Sequence, residues 1–215
     1  MSTRGPEGGA LILSPHVDDE VLGCFAFLRP GTHVVFGGLE SREGMPVSLR
    51  LAELEASAAA LGFTWELLGN TVNAYDSNDL VGPFERAIAA RRPATVLLPE
   101  PSYNRDHRET FDAGLIATRP HDVLPRVDEV LAFEQPHAVL WPRGGAPEPT
   151  VYVEIDAAAK LVAYARYASQ VRGHRSPECV AALAALRGAA IGRPAAEGYR
   201  ALRIVRGAAD EGTRR

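Results

Sequence analysis

Residues 10–20 read Ala10-Leu11-Ile12-Leu13-Ser14-Pro15-His16-Val17-Asp18-Asp19-Glu20, a short apolar run followed at once by an imidazole and three consecutive carboxylates. A strand of this kind delivers its polar residues to one loop at its carboxyl end. Three adjacent negative charges repel one another, and Asp and Glu are rarely buried without a partner, so folding alone gives no reason to gather them here. A cation does. His16 and Asp19 are ligand types that divalent zinc accepts. Asp18, beside such an ion, is placed to handle the protons of an attacking water. The competing reading is plain helix capping. Acidic residues after a strand commonly fill the N-cap and first turn of the next helix, where the dipole favours them.

Outward from this stretch, segments of strand type alternate with segments of helix type. Residues 32–38, 63–68, 95–99, 130–134, 150–155 and 202–205 read as further strands. A helix is expected near 20–28. Another spans 49–61, with Leu51, Leu54, Ala58 and Leu61 at three-four spacing and Gly62 where a C′ glycine belongs. Residues 80–92 form a third, ended by Pro93, and 109–118 a fourth. Asp156 can cap a long helix reaching to about 170, and Ser176-Pro177 opens the last, Ser as N-cap and Pro at N1. The order predicts an α/β, Rossmann-like fold in one domain: a mostly parallel sheet with helices on both faces. Residues 72–79 and 135–149 are the least regular. The second is rich in Pro and Gly, as a surface loop over a site would be.

A chain of 215 residues, 46% hydrophobic and 23% charged, has enough apolar material for one substantial core. The domain is expected over 10–207, between flexible ends at 1–9 and 208–215. The net charge is −4 and no basic stretch stands out, which argues against nucleic acid as a partner. The first residues lack the apolar core of a signal peptide, and no uncharged apolar run reaches membrane-spanning length. Cys24 and Cys179 make no disulfide framework and read as buried thiols. A cytoplasmic location without membrane insertion is the expectation; homo-oligomerisation is left open.

In doubly wound folds ligands bind beyond the carboxyl ends of the strands. A nucleotide site would put a Gly-rich turn after the first strand. Carboxylates there repel a phosphate, so the loop speaks for a metal. After the strand at 95–99 comes a second polar loop, Glu100-Pro101-Ser102-Tyr103-Asn104-Arg105-Asp106-His107-Arg108. His107 is the natural third ligand. His16, Asp19 and His107 would leave positions open for water and substrate, on Zn2+ or equally on a non-haem Fe2+.

The two loops together resemble the signatures of the LmbE-like (PIG-L) zinc-dependent N-deacetylases: Pro15 to Glu20 is similar to PHPDDE, and Asn104-Arg105-Asp106-His107-Arg108 to the N-x-D-H-R form of the second motif. Weaker matches cover most of the chain. They are Arg50-Leu51-Ala52-Glu53 (R-x-x-E), Phe133-Glu134 with Trp141, Tyr167-Ala168-Ser169-Gln170, Arg175-Ser176 and Ala196-Glu197-Gly198-Tyr199-Arg200. The resemblance implies His16, Asp19 and His107 as metal ligands and Asp18 as general base. It implies Arg50 as a substrate contact, against a reading as a solvated charge at a helix start. Asp106 would orient a ligand. The family's short Asp-containing loop falls on residues 73–79 and brings in Asp76, with Tyr103 and His174 as further substrate contacts. Two departures matter. Val17 replaces the usual Pro, and Asn104 stands where many relatives carry a catalytic His. Asn can donate a hydrogen bond to an oxyanion but delivers no proton at neutral pH. His137 and His174 are the candidate replacements, each weighed against being a solvated loop histidine, with Asp18 itself the favoured shuttle. His33 and His121 read as structural or surface residues.

The implied activity is metal-dependent removal of an N-acyl group, such as the acetyl of an N-acetylglucosamine unit, from a small amino sugar or sugar conjugate. The rivals are an amidase acting on a thiol or glycoside conjugate, and a non-catalytic binding module with a degenerate metal site.

Overall fold

The run Ala10–Ser14 forms β1, and all five of its residues are buried. Successive side chains of a strand point to opposite faces. Ala10 and Ile12 accordingly join one apolar cluster, with Leu22, Leu54 and Val180. Leu11 and Leu13 join another, with Phe84, Ile88 and Ala113. A strand apolar at every position needs helices over both faces. The computed structural model, which describes residues 9–120, 122–142, 145 and 148–206, provides them. The expected flexible ends, Gly9 apart, and His121 lie outside the described residues.

The remaining strands are β2 (His33–Phe36), β3 (Thr64–Leu67), β4 (Thr95–Pro99), β5 (Glu129–Phe133), β6 (Val151–Glu154) and β7 (Ala196–Ile204). They form one seven-stranded sheet in the order β3-β2-β1-β4-β5-β7-β6. β7 runs antiparallel to both its neighbours, and the other pairings are parallel. The helices are α1 (Asp19–Cys24), α2 (Val47–Leu61), α3 (Ser77–Arg91), α4 (Arg105–Ala117), α5 (Pro136–Leu140), α6 (Ala157–Tyr164) and α7 (Pro177–Ala189). Among the described residues no helix is long and apolar enough to cross a membrane. The chain leaves β1 toward β2 on one side and returns to β4 on the other. The gap between the carboxyl ends of β1 and β4 is therefore the switch point of the sheet.

Gly62 ends α2 at φ 80°, its N–H bonded to the Ala58 carbonyl, as a C′ glycine should. Ser176 caps α7 by accepting from the Cys179 N–H. Several expectations need correction. The helix near 20–28 stops at Cys24 and tightens into a 3-10 turn over Phe25–Phe27. The one expected to reach 170 ends at Tyr164. A 3-10 segment, Ala165–Gln170, follows, in which Tyr167 leaves helical geometry (φ −95°, ψ 48°) and points its hydroxyl at Glu20. Residues 135–149 are not all loop, because Pro136 opens the short α5. The last strand is nine residues long. Its first half was hidden by Glu197 and Arg200, whose charges are met by Lys160 and Glu100. Cys24 is buried as expected, but Cys179 is only partly so; both are free thiols.

Candidate active site

The loop after β1 turns sharply. Asp18 sits at φ 113°, a conformation that favours glycine. Such strain costs on the order of 1–3 kcal/mol and persists only where the surroundings enforce it. Here the Asp18 N–H donates to Glu20 Oε2 at 3.0 Å, and Arg175 Nη1 donates to Asp18 Oδ2 at 2.8 Å. Asp18 occupies the N-cap position of α1, yet its side chain makes no capping bond. Plain capping therefore does not account for the acidic run. Each buried carboxylate has its own partner instead: Asp18 has Arg175, Asp19 has the two imidazoles, and Glu20 accepts from the Tyr167 hydroxyl at 2.5 Å.

His16, Asp19 and His107 converge. One ligand atom from each lies within 4.8 Å of the others. His16 Nδ1 and His107 Nε2 both face Asp19 Oδ2, each at 3.3 Å. The other nitrogen of His16, Nε2, lies 2.8 Å from Asp106 Oδ2. Asp106 is itself fixed by the backbone N–H groups of Asn73 (2.6 Å) and Tyr75 (3.3 Å). With its proton on Nε2, donated to Asp106, His16 presents a lone pair on Nδ1. This is the arrangement that carboxylate partners impose on metal-binding histidines. Two imidazole nitrogens and a carboxylate oxygen, gathered and oriented in this way, fit a divalent cation.

The charges reinforce one another. Burial opposes ionisation of Asp19, but His107 and His16 hold its carboxyl well below the usual range. Burial would lower the His16 imidazole, yet Asp106 and Asp19 raise it to about 9, so near neutral pH a cation would have to displace the proton on Nδ1 before that nitrogen could bind it. Burial pushes Asp18 up to about 6, against the pull of Arg175. His137 is pushed down to about 3 by burial and by the neighbouring His107.

These groups line a cleft of about 280 Å³. Of the residues singled out from sequence, His16, Asp18, Asp19, Arg50, Tyr103, Asn104, His107, His137 and His174 all reach it. Asp76 does not: it is exposed and caps α3, accepting from the Asn78 N–H at 2.9 Å. Arg50 reaches the cleft but is not a solvated charge. It is 1% exposed, and it donates to the Val17 carbonyl, to Glu53 Oε2 at 2.6 Å and to Ser169 Oγ at 3.2 Å. It thereby ties α2 to the loop that carries His16 and Asp19. Asn104 is the N-cap of α4, its Oδ1 accepting from the Asp106 N–H at 2.9 Å. The helix thus starts at Arg105, four residues before its expected start, and the Asn104 amide NH2 is left as the available donor.

His137 is no solvated loop residue. It is carried inward on α5, its ring 4.7 Å from that of His107 and its Nε2 3.1 Å from Ser102 Oγ. His174 is exposed at the cleft. His33 is buried and bonds Thr64 Oγ1, a structural role as expected. Sequence reasoning missed Arg175, Arg172 and Glu40 as lining residues. Arg175 was visible only as part of Arg175-Ser176. The dense Arg172-Gly173-His174-Arg175 run was the available signal, and Glu40 offered none.

No protein-family model matches the chain, and no curated protein matches it. Solved structures do. A conserved protein from Thermus thermophilus, TT1542, shares 21% identity at a TM-score of 0.75, over 93% of this chain and 97% of that one. GalB, the 4-carboxy-2-hydroxymuconate hydratase from Pseudomonas putida, shares 20% at 0.74, over 94% and 100%. The N,N'-diacetylchitobiose deacetylase from Pyrococcus horikoshii shares 18% at 0.71, over 90% and 83%. The likeness runs through nearly the whole chain and establishes the fold: these proteins and this one share a single α/β architecture.

Proposed function

We propose that the chain is a divalent-metal-dependent hydrolase of the LmbE-like (PIG-L) type, removing an N-acyl group, acetyl in the simplest case, from an amino sugar or sugar conjugate. The observation that carries this reading is the convergence of His16 Nδ1, Asp19 Oδ2 and His107 Nε2 in the cleft, with Asp18 adjacent. We take zinc as the resident ion. A divalent cation at these three residues would supply Lewis-acid polarisation of the amide carbonyl and would acidify water.

The other roles fall to the chain's own groups. Asp18 accepts the proton of the attacking water at Oδ1, since Oδ2 is engaged by Arg175. Asn104 donates from its free NH2 to the carbonyl oxygen as charge develops there. The leaving nitrogen takes its proton from Asp18, because Asn104 has none to give and His137 is held against Ser102. Arg50 and Asp106 position the ligand loop and the His16 ring. The chitobiose deacetylase among the fold relatives supports amide hydrolysis on an amino sugar. The free thiols Cys24 and Cys179 suit a reducing cytoplasm.

A second reading, addition of water to an unsaturated carboxylate, is favoured by the hydratase that shares the fold. One experiment separates them. The purified protein is analysed for metal, then incubated with N-acetylglucosamine and N,N'-diacetylchitobiose while free amine is measured. Amine release that chelation abolishes and zinc restores is the expected result. A metal-replete protein that releases no amine from any N-acetylated sugar would remove the deacetylase reading.

A further inference from the structure

Part of the cleft lining is cationic in a way the hydrolytic roles leave unused. Arg172, His174 and Arg175 come from one short turn, and Glu40 comes from the segment after β2. Arg175 is committed to Asp18. Arg172 is not comparably committed. Both of its hydrogen bonds leave from a single nitrogen, Nη2, to Gln170 Oε1 at 3.1 Å and to Glu40 Oε2 at 3.4 Å. Its Nη1 and Nε have no partner among the described residues, and the side chain is 37% exposed. Glu40 is moreover shared, since Arg42 Nη1 stands 3.9 Å from its other oxygen. One carboxylate thus faces two guanidiniums, so Arg42 and Arg172 together carry one positive charge more than Glu40 offsets.

We propose that the substrate carries an anionic oxygen group, a carboxylate or a phosphate, in addition to its acyl amide, and that Arg172 receives it. The proposal deepens the deacetylase reading and rests on it for the amide, but the anion site itself is independent of which reaction follows. A guanidinium matches planar or tetrahedral oxyanions through several N–H groups at once. Asp18, Asp19 and Glu20 make the ligand loop acidic, so an incoming anion is tolerated only where local positive charge outweighs them. Arg172 lines the cleft on the same turn as Arg175 and His174, with two of its N–H-bearing nitrogens free to receive one. Glu40 acts there as an internal stand-in, which the substrate's anion displaces and which then retains Arg42.

The test is calorimetric titration of the zinc-supplied full chain, at low ionic strength, with three ligands: neutral N-acetylglucosamine, N-acetylmuramic acid and N-acetylglucosamine 6-phosphate. At least one acidic ligand should bind roughly tenfold or more tighter than the neutral sugar, the size expected for one charge-assisted pair. The two acidic ligands separate carboxylate from phosphate. Arg172→Met should erase the preference. Glu40→Gln should enlarge it, an effect of opposite sign that misfolding cannot mimic. Equal binding of acidic and neutral ligands overturns the proposal. So does a preference that survives Arg172→Met, which would place the anion on the metal. A preference that behaves as described, without amine release, supports the anion site and removes the deacetylase reading.

Discussion

Asp18 combines a left-handed backbone, a guanidinium partner and a place next to Asp19, one of the three residues that could hold a metal ion. Replacing it with Asn keeps the shape but removes the proton acceptor. Asp18→Asn should therefore bind zinc normally, by elemental analysis, and lose roughly 10²–10⁴-fold in kcat. Normal turnover in the zinc-loaded variant would take the role away from Asp18. Asp106 acts one step further out: it touches His16 and two backbone N–H groups, and it does not line the cleft. Asp106→Ala leaves the three ligands present but frees the His16 ring, so zinc affinity should fall about 10–100-fold. Competition with a fluorescent chelator measures that fall, and unchanged affinity would show that His16 is held by something else.

At the scale of elements, α1 must be pinned for the loop before it to hold its strained turn. Its carboxyl end is tied down by a buried network. Lys160 Nζ, on α6, donates to the Leu22 carbonyl at 2.7 Å and to Glu197 Oε1 at 2.6 Å. Glu197, on β7, also accepts from the Phe25 and Ala26 N–H groups and from the Tyr199 hydroxyl. Removing one partner of a buried ion pair leaves the other charge uncompensated. Lys160→Met should thus cost about 3 kcal/mol in urea unfolding, although Lys160 lies outside the cleft lining. Near the carboxyl end of α1, Gly23 allows the helix to lie against β5. A Cβ there would stand 2.4 Å from Phe133 Cδ2 and 2.5 Å from the Glu134 carbonyl oxygen. Gly23→Ala should destabilise by roughly 1–3 kcal/mol through overpacking, and a melting temperature equal to the unaltered protein's would contradict the close approach.

For the whole molecule, the site joins loops from two strands on either side of the switch point, and a bound ion would cross-link them. Binding to the folded state alone raises stability by mass action. Zinc at about a hundredfold its dissociation constant should lift the melting temperature by roughly 5–10 °C for a chain of this size. The shift should vanish in His107→Ala and on chelation. A shift that persists in that variant would place the ion elsewhere.

The residues of the two polar loops could be read directly from the chain, as could the alternating strands and helices and the sites of several caps. Each of these is a local pattern. A strand buried on both faces shows as an unbroken apolar run, and the candidate ligands beyond β1 and β4 follow those runs within eight residues. What the chain alone concealed were the partnerships between distant positions. Asp18 meets Arg175 across 157 residues, Glu20 meets Tyr167 across 147, and His16 meets Asp106 across 90. The same holds for Arg50, whose helix-start position resembles a solvated charge until α2 is packed against the Val17 carbonyl. It holds for His137, whose Pro-rich surroundings hid a helical turn that faces inward. In the other direction, Asp76 matched a motif position yet folded as an exposed helix cap. Periodicity and capping are short-range and leave their mark on neighbouring residues. The pairing of buried charges depends on which elements the sheet brings side by side, and only the tertiary structure decides that.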